Sequence, residues 1–178
     1  LALDLYTSRI EDKIVAIPMK CQFRWSMVNF GLVRSLGIST TAGYDRTWGK
    51  LALSANANYT CQRDRDFSSP SDPEYKNTIP YSPLHSASLI VSLGYDGWSA
   101  CTSWLYTGDR FALISNNKED MLGAWQTVDI KLSKTFTVSR HSLQTTIECN
   151  NLTDSRHEVV KRYPMPGRNW KLTLQWRM

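Results

Sequence analysis

The end of the chain alternates strictly between apolar and polar residues. The apolar positions are Trp170, Leu172, Leu174, Trp176 and Met178, and the polar positions are Asn169, Lys171, Thr173, Gln175 and Arg177. A period of two is typical of a β-strand with one apolar and one polar face. Pro166 and Gly167 come directly before it, and they stop a strand because proline donates no ladder hydrogen bond and glycine permits a sharp bend. The pattern predicts a final strand that begins near Asn169.

Seven earlier segments alternate in the same way. The predicted strands cover residues 1–9, 31–45, 50–61, 86–95, 98–106, 126–133 and 142–150. Asp96-Gly97 is a strong hairpin signal between two of these strands. Since no segment shows a helical period, the chain is predicted to be all-β, an antiparallel up-and-down meander of about eight strands.

The connections between the predicted strands alternate in length. The long ones are 10–29, 62–82, 107–123 and 151–167, and tight turns lie at 46–49, 96–97 and 137–140. Outer-membrane barrels have short turns at one rim and long loops at the other. Charges in the middle of strands, at Asp129, Lys131, Glu148 and Lys171, suit a hydrated lumen. We therefore expect a membrane β-barrel whose apolar face meets lipid.

Bulk composition is compatible with this interpretation. The mean hydropathy is −0.38, and no run approaches the roughly 18 apolar residues that a membrane helix needs. Barrels have a polar average composition because alternate residues face water. The net charge of +5 comes without a long Lys/Arg run, so no nucleic-acid partner is predicted.

The reactive residue types predict no catalytic or metal chemistry. Cys21, Cys61, Cys101 and Cys149 form no CxxC pair, and no histidine stands beside them at metal-ligand spacing. We expect free thiols without disulfides or zinc, three of them on apolar strand faces, with the inner face as the alternative for Cys101. The chain has no GxSxG motif and no Ser/His/Asp set, so neither an enzyme nor a cofactor is predicted.

A charged segment at the start of the second long connection invites a calcium hypothesis. Asp64 and Asp66 alternate there with Arg63 and Arg65. The adjacent opposite charges favour a solvated, self-neutralising loop over a calcium cage.

Two segments near the end carry a family resemblance. Asn150-Asn151-Leu152-Thr153-Asp154 closes the penultimate predicted strand, and Tyr163-Pro164-Met165-Pro166-Gly167-Arg168 leads into the last one. Together with the strand that follows, they resemble the C-terminus of TonB-dependent outer-membrane receptors. Weaker matches, such as Asp4-Leu5-Tyr6 and Asn29-Phe30-Gly31, extend the resemblance over essentially all of residues 1–178.

The resemblance implies a larger barrel of about 22 strands, closed by an N-terminal plug. Residues 1–178 would be its last eight strands, as one C-terminal barrel portion without plug. Such receptors sit in the cell outer membrane and import a scarce nutrient such as a ferric siderophore, haem, cobalamin or a glycan. The implied partners are the lipid bilayer, the small-molecule nutrient and, through the plug, the TonB complex that supplies energy.

Candidate ligand-binding residues are the cations of the predicted outer loops. Arg110, Arg156, Lys161 and Arg162 are predicted to attract an anionic siderophore by electrostatic steering. The motif residues are predicted to be structural, with an Asx turn at the end of the penultimate strand. These structural positions are Asn150, Asn151, Leu152, Asp154, Tyr163, Pro164, Pro166, Gly167 and Arg168.

Two other interpretations stay open at this stage. Eight strands suffice for a small closed barrel, in which the first and last strands pair antiparallel. Such a barrel would bind a small ligand or anchor in the membrane. The other interpretation is a truncated gene product with only residual structure.

Overall fold

The computed structural model describes residues 1–18, 24–138 and 141–178. Within these ranges the chain forms twelve strands and a 3₁₀ turn at Lys118–Asp120. The strands are β1 (Ala2–Pro18), β2 (Trp25–Trp48), β3 (Leu51–Asp66), β4 (His85–Tyr95), β5 (Trp98–Thr107), β6 (Arg110–Phe111), β7 (Met121–Leu122), β8 (Trp125–Val138), β9 (His141–Asn150), β10 (Glu158–Val160), β11 (Tyr163–Pro164) and β12 (Asn169–Arg177).

The eight long strands form one antiparallel sheet in the order β1-β2-β3-β4-β5-β8-β9-β12. Every long strand pairs with the next long strand of the chain, so the topology is a simple meander. The four short strands lie in the connections, as the pairs β6-β7 and β10-β11. The predicted all-β, antiparallel up-and-down meander is confirmed.

The predicted long connection 10–29 is wrong, because most of it is paired strand. β1 continues to Pro18 and β2 begins at Trp25, with partners such as Lys13 and Phe30. The strands are interrupted at Asp12, which has a φ of 53°. This irregularity disturbs the alternation of side chains, so the period-two signal is lost where the ladder continues. The tip of the connection, 19–23, lies outside the described residues.

The predicted loop at 62–66 is also strand, and the self-neutralising arrangement expected there is wrong. Arg63 and Arg65 pair with Leu36 and Arg34 of β2, as the last part of β3. Successive side chains of a strand point to opposite faces. The two arginines therefore lie on one face of the sheet, and Asp64 and Asp66 lie on the other.

The two faces of the sheet differ in their exposed chemistry. Large apolar side chains are uncovered from one edge to the other, with Leu5 at 74% and Leu172 at 64% exposure. The opposite face carries buried polar residues such as Ser35, Ser133 and Thr146. An apolar surface of this extent suits lipid, because soluble monomers rarely expose patches of more than a few hundred Å². Cys101 lies on the polar face, where Ser92 Oγ donates to its Sγ at 3.4 Å.

The small apolar core lies at the loop end of the polar face. Phe30 and Val33 of β2 pack there with Ile79 from the connection between β3 and β4. Ile114 of the next connection packs against the same cluster. The connections therefore fold inward over the strand ends.

The sheet is open in the described structure, because β1 pairs only with β2 and β12 only with β9. Pairing of the first and last strands, as a self-contained barrel requires, is not found in these residues. An eight-stranded barrel has an interior just wide enough for side chains or one small ligand. At the loop end of this polar face, the connection that carries Ile79 packs on Phe30 and Val33.

A hydrogen-bonded chain on the polar face joins β1, β3 and the connection that follows β3. Tyr6 Oη donates to Gln62 Oε1 at 2.6 Å, and Gln62 Nε2 donates to Asp64 Oδ2 at 2.7 Å. Ser82 Oγ donates to the same Asp64 oxygen at 2.6 Å. Gly37 makes room for the Tyr6 ring, because a Cβ at Gly37 would lie 2.5 Å from both Cζ and Oη of Tyr6.

We predict that Gly37→Ala lowers the free energy of unfolding in detergent by about 1–3 kcal/mol, since it displaces Tyr6 from Gln62. Gly94→Ala is the matched control, because a Cβ there meets Ala52 Cβ at an ordinary 3.8 Å. Urea titration followed by heat-modifiable gel mobility measures both. Equal midpoints for the two variants would contradict the role of Tyr6.

Candidate functional site

The second and third long connections of the chain are bonded into one layer at the loop rim. Asn116 Nδ2 donates to the Thr78 carbonyl at 3.0 Å, and the Thr78 amide donates to Asn116 Oδ1 at 2.7 Å. The Tyr81 amide also donates to the Phe111 carbonyl at 2.8 Å. A side-chain amide that pairs with a backbone in this way replaces the ladder hydrogen bonds that loops lack.

Arg110 bonds this layer to the last connection. Its Nη2 donates to the carbonyls of Glu158 at 2.6 Å and Val159 at 3.1 Å. The residue is only 4% exposed, and burial lowers the pKa of its guanidinium from the ordinary value. An arginine nevertheless stays charged at neutral pH. Arg110 is therefore a buried cationic anchor of the rim.

Lys161 is a second contact between the same connections. Its ammonium forms an ion pair with Asp120, and it donates to the Glu119 carbonyl at 3.2 Å. Nearby, burial raises the pKa of the Tyr81 phenol. Lys161 thus has anionic and carbonyl partners within the protein.

Arg156 and Arg162 differ from these anchors because both are exposed. Arg162 has a φ of 70°, and its amide donates to Glu158 Oε2 at 2.8 Å. The structure thus brings the four predicted cations to one rim, with Arg110 and Lys161 bonded into its layer. Their role in ligand binding stays a prediction.

Asn151 holds together the connection that follows β9. It is 5% exposed, and its Nδ2 donates to the carbonyls of Ser155 at 2.9 Å and Pro166 at 3.2 Å. Its Oδ1 accepts from the Ser155 amide at 2.9 Å. Its own amide donates to Asp129 Oδ1 at 2.7 Å. One side chain thus joins the beginning and end of this connection, and its backbone joins it to β8.

Asp154 and Gly167 meet where the connection enters β12. Asp154 Oδ1 accepts from the Arg168 amide at 2.8 Å. A Cβ at Gly167 would lie 2.7 Å from that oxygen, so the position needs glycine for the close approach. Beyond it, Asn150 Nδ2 donates to Asn169 Oδ1 at 3.0 Å. These contacts join the segment 150–154 to the segment that leads into β12.

A row of charges crosses three strands on the polar face. Lys131 of β8, Glu148 of β9 and Lys171 of β12 are direct cross-strand partners. The two ammonium groups lie 3.4 Å from different oxygens of the Glu148 carboxylate. A groove of about 250 Å³ runs beside the row, next to Asp129 and Cys101. Sequence reasoning identified these charges separately but missed the row, because the strand register was not known.

The described residues contain no group of three or more His, Cys, Asp and Glu side chains arranged to hold a metal ion. Cys61, Cys101 and Cys149 are free thiols, and Cys21 lies outside the described residues. No helix in residues 1–18, 24–138 and 141–178 is long and apolar enough to cross a membrane.

The family model for the TonB dependent receptor-like β-barrel matches residues 1–152. The chain belongs to the TonB-dependent receptor family. Members of this family are outer-membrane transport receptors and not enzymes. The match contains β1 to β9 and the residues Asn150, Asn151 and Leu152. Tyr163 to Arg168 lie beyond it, so their family assignment rests on the motif resemblance.

Solved structures of TonB-dependent receptors share this fold. The ferric citrate transporter FecA in its unliganded form has 18% identity and a TM-score of 0.69 over 82% of this chain and 24% of its own. The ferric-catecholate import receptor Fiu from E. coli K12 has 18% identity and a TM-score of 0.68 over 97% of this chain and 24% of its own. The copper transporter OprC has 16% identity and a TM-score of 0.67 over 98% of this chain and 28% of its own.

The chain spans about a quarter of the length of these receptors. At these identities, the likeness shows the fold alone: the eight-stranded sheet of this chain resembles part of the barrel of each receptor. No curated protein sequence matches the chain significantly.

We predict that Arg110→Met loosens the last connection at the rim, because its two carbonyl contacts disappear and the contacts of Lys161 with Glu119 and Asp120 are left to hold it. Trypsin cleavage after Arg156 or Lys161 should become about tenfold faster, since proteolysis follows local opening. Arg156→Met is the matched control for loss of an exposed cation, with cleavage measured after Lys161. Cleavage after Lys161 at wild-type rate in Arg110→Met would contradict the anchoring role.

Proposed function

We propose that this chain forms part of the membrane wall of an outer-membrane receptor that takes up a metal chelate by TonB-driven transport. The family match over residues 1–152 carries the proposal. The uncovered apolar face, with Leu5 and Leu172 mostly exposed, supports a position in lipid. We therefore also assign the receptor to the cell outer membrane.

A metal chelate is the substrate class that the structural neighbours favour. By their names, FecA transports ferric citrate, Fiu imports a ferric catecholate and OprC transports copper. Ferric siderophores and citrate complexes are commonly anionic. The exposed cations Arg156 and Arg162 lie at the rim where such a ligand arrives, so electrostatic steering would raise its association rate. We place the ferric siderophore class first among candidate nutrients.

The charges of the polar face support its orientation toward the lumen of the barrel. Lys131, Glu148 and Lys171 form a charged row across it, and Asp129 lies beside them. Such a surface is stable against water or a polar domain, but not against lipid. It would face the plug, through which the TonB complex acts in this family.

The first test is uptake by cells that express the receptor containing this chain. Radiolabelled ferric citrate, a ferric catecholate and a copper salt serve as probes. We expect uptake of at least one probe, and its loss in cells without TonB. Uptake of none of them, or uptake that persists without TonB, would contradict the proposed function.

The steering step is tested with Arg156→Gln/Arg162→Gln in the same cells. We expect the uptake rate at low ionic strength to fall about threefold or more, and salt to reduce the difference. Arg46→Gln/Lys50→Gln, at the opposite end of the strands, is the matched control for loss of two charges. An unchanged rate in the first variant would contradict steering by this rim.

A further inference from the structure

Arginines form a row on the apolar face at the loop end of the first three strands. Arg9, Arg34 and Arg65 are direct cross-strand partners across β1, β2 and β3. Same-face partners in an antiparallel sheet have Cβ atoms about 4.5–5.5 Å apart. Arg63 lies on this face as well, one row nearer the middle of the sheet. We call Arg9, Arg34, Arg63 and Arg65 the arginine cluster.

The cluster has little negative charge around it. Glu11 forms an ion pair with Arg9 at 2.8 Å, and the Arg34 guanidinium lies 4.8 Å from the centre of the Phe67 ring. In the described part of the chain, no carboxylate forms an ion pair with Arg34, Arg63 or Arg65. Asp64 and Asp66 point to the opposite face. Since like charges on adjacent strands repel, the cluster is suited to an external anion.

A polar cavity of about 250 Å³ adjoins the cluster. Arg63 and Arg65 line it together with Arg110, Ser82 and Asp109. Arg110 is almost fully buried, with 4% exposure, and its Nη1 has no hydrogen-bond partner among the described residues. The carboxylate of Asp109 also lines it, and its Oδ1 accepts from the Ala124 amide at 2.6 Å. Three guanidinium groups against one carboxylate thus leave the cavity a surplus of donors for an anion.

An apolar crevice of about 490 Å³ lies directly below the cluster on the same face. Two cross-strand rows form it, namely Thr7-Leu36-Arg63 and Leu5-Ile38-Cys61. Leu5 is 74% exposed and Leu36 67%, so no part of the described chain covers the crevice. Arg63 and Leu84 line both the crevice and the polar cavity, which makes the two spaces continuous.

We propose that this face binds a phosphorylated membrane lipid. Its phosphate group lies among Arg34, Arg63 and Arg65, and an acyl chain lies in the crevice. Arginine suits phosphate because its planar fork donates two parallel hydrogen bonds. The Arg34-Arg65 row lies one same-face row, about 7 Å, beyond the Leu36-Arg63 row that lines the crevice. This spacing is short enough for the two parts of one amphiphile. Arg34, Arg63 and Arg65 lie on the apolar face, opposite the charged row of Lys131, Glu148 and Lys171.

The test measures lipid binding to the whole chain in detergent micelles by native mass spectrometry. The probes are bis-phosphorylated lipid A, phosphatidylcholine and inorganic phosphate. We expect lipid A to bind most tightly, and Arg34→Gln/Arg65→Gln to weaken its binding at least about tenfold. Arg46→Gln/Lys134→Gln, two cations at the other end of the strands, should leave binding unchanged.

A second variant tests the acyl half without removing any charge. Ile38→Trp narrows the crevice and should weaken lipid A binding severalfold while inorganic phosphate binding stays the same. Equal lipid A binding by wild type and the arginine variant would overturn the proposal. It would also be overturned if phosphatidylcholine bound as tightly as lipid A. If inorganic phosphate bound as tightly as lipid A, the site would be one for the ion alone, and the proposal of a lipid ligand would be overturned.

Discussion

The structure depends on one constraint, which is that a backbone crossing a bilayer must satisfy its own hydrogen bonds. The long strands meet it with a continuous antiparallel ladder from β1 to β12. Because side chains alternate along each strand, the register of this ladder also sets both faces. The same pairing that leaves Leu132 exposed on the apolar face places Lys131 beside Glu148 on the polar face. The exposed apolar face and the charged row are thus two results of one register.

Beyond the bilayer the constraint relaxes, and the chain satisfies its backbone with polar side chains instead. Asn116, Arg110 and Asn151 each bond to carbonyls of a connection. Among the described residues, a small apolar cluster around Phe30 and Val33 supports this layer. The rim is therefore held mainly by directional polar contacts.

Sequence reasoning succeeded where one side chain pattern decided the structure. The alternation at the end of the chain predicted β12, which runs from Asn169 to Arg177. It failed at Asp12, where the irregular backbone disturbed the alternation inside a continuing strand. It also took 62–66 for a loop, because alternating charges look like a solvated segment when partner strands are unknown. The contacts of Arg110 and the row at Glu148 depend on distant pairing, which no local pattern contains.

The most direct test of the two-faced wall is spin labelling at Ile130, Lys131, Leu132 and Ser133 of β8. Labels are attached one at a time to a variant without native cysteines, inserted in lipid vesicles. Collisions with oxygen report lipid, and collisions with a nickel chelate report water. The account predicts that labels at 130 and 132 meet oxygen, whereas those at 131 and 133 are shielded from lipid. Equal oxygen access at all four positions, or the opposite alternation, would contradict it.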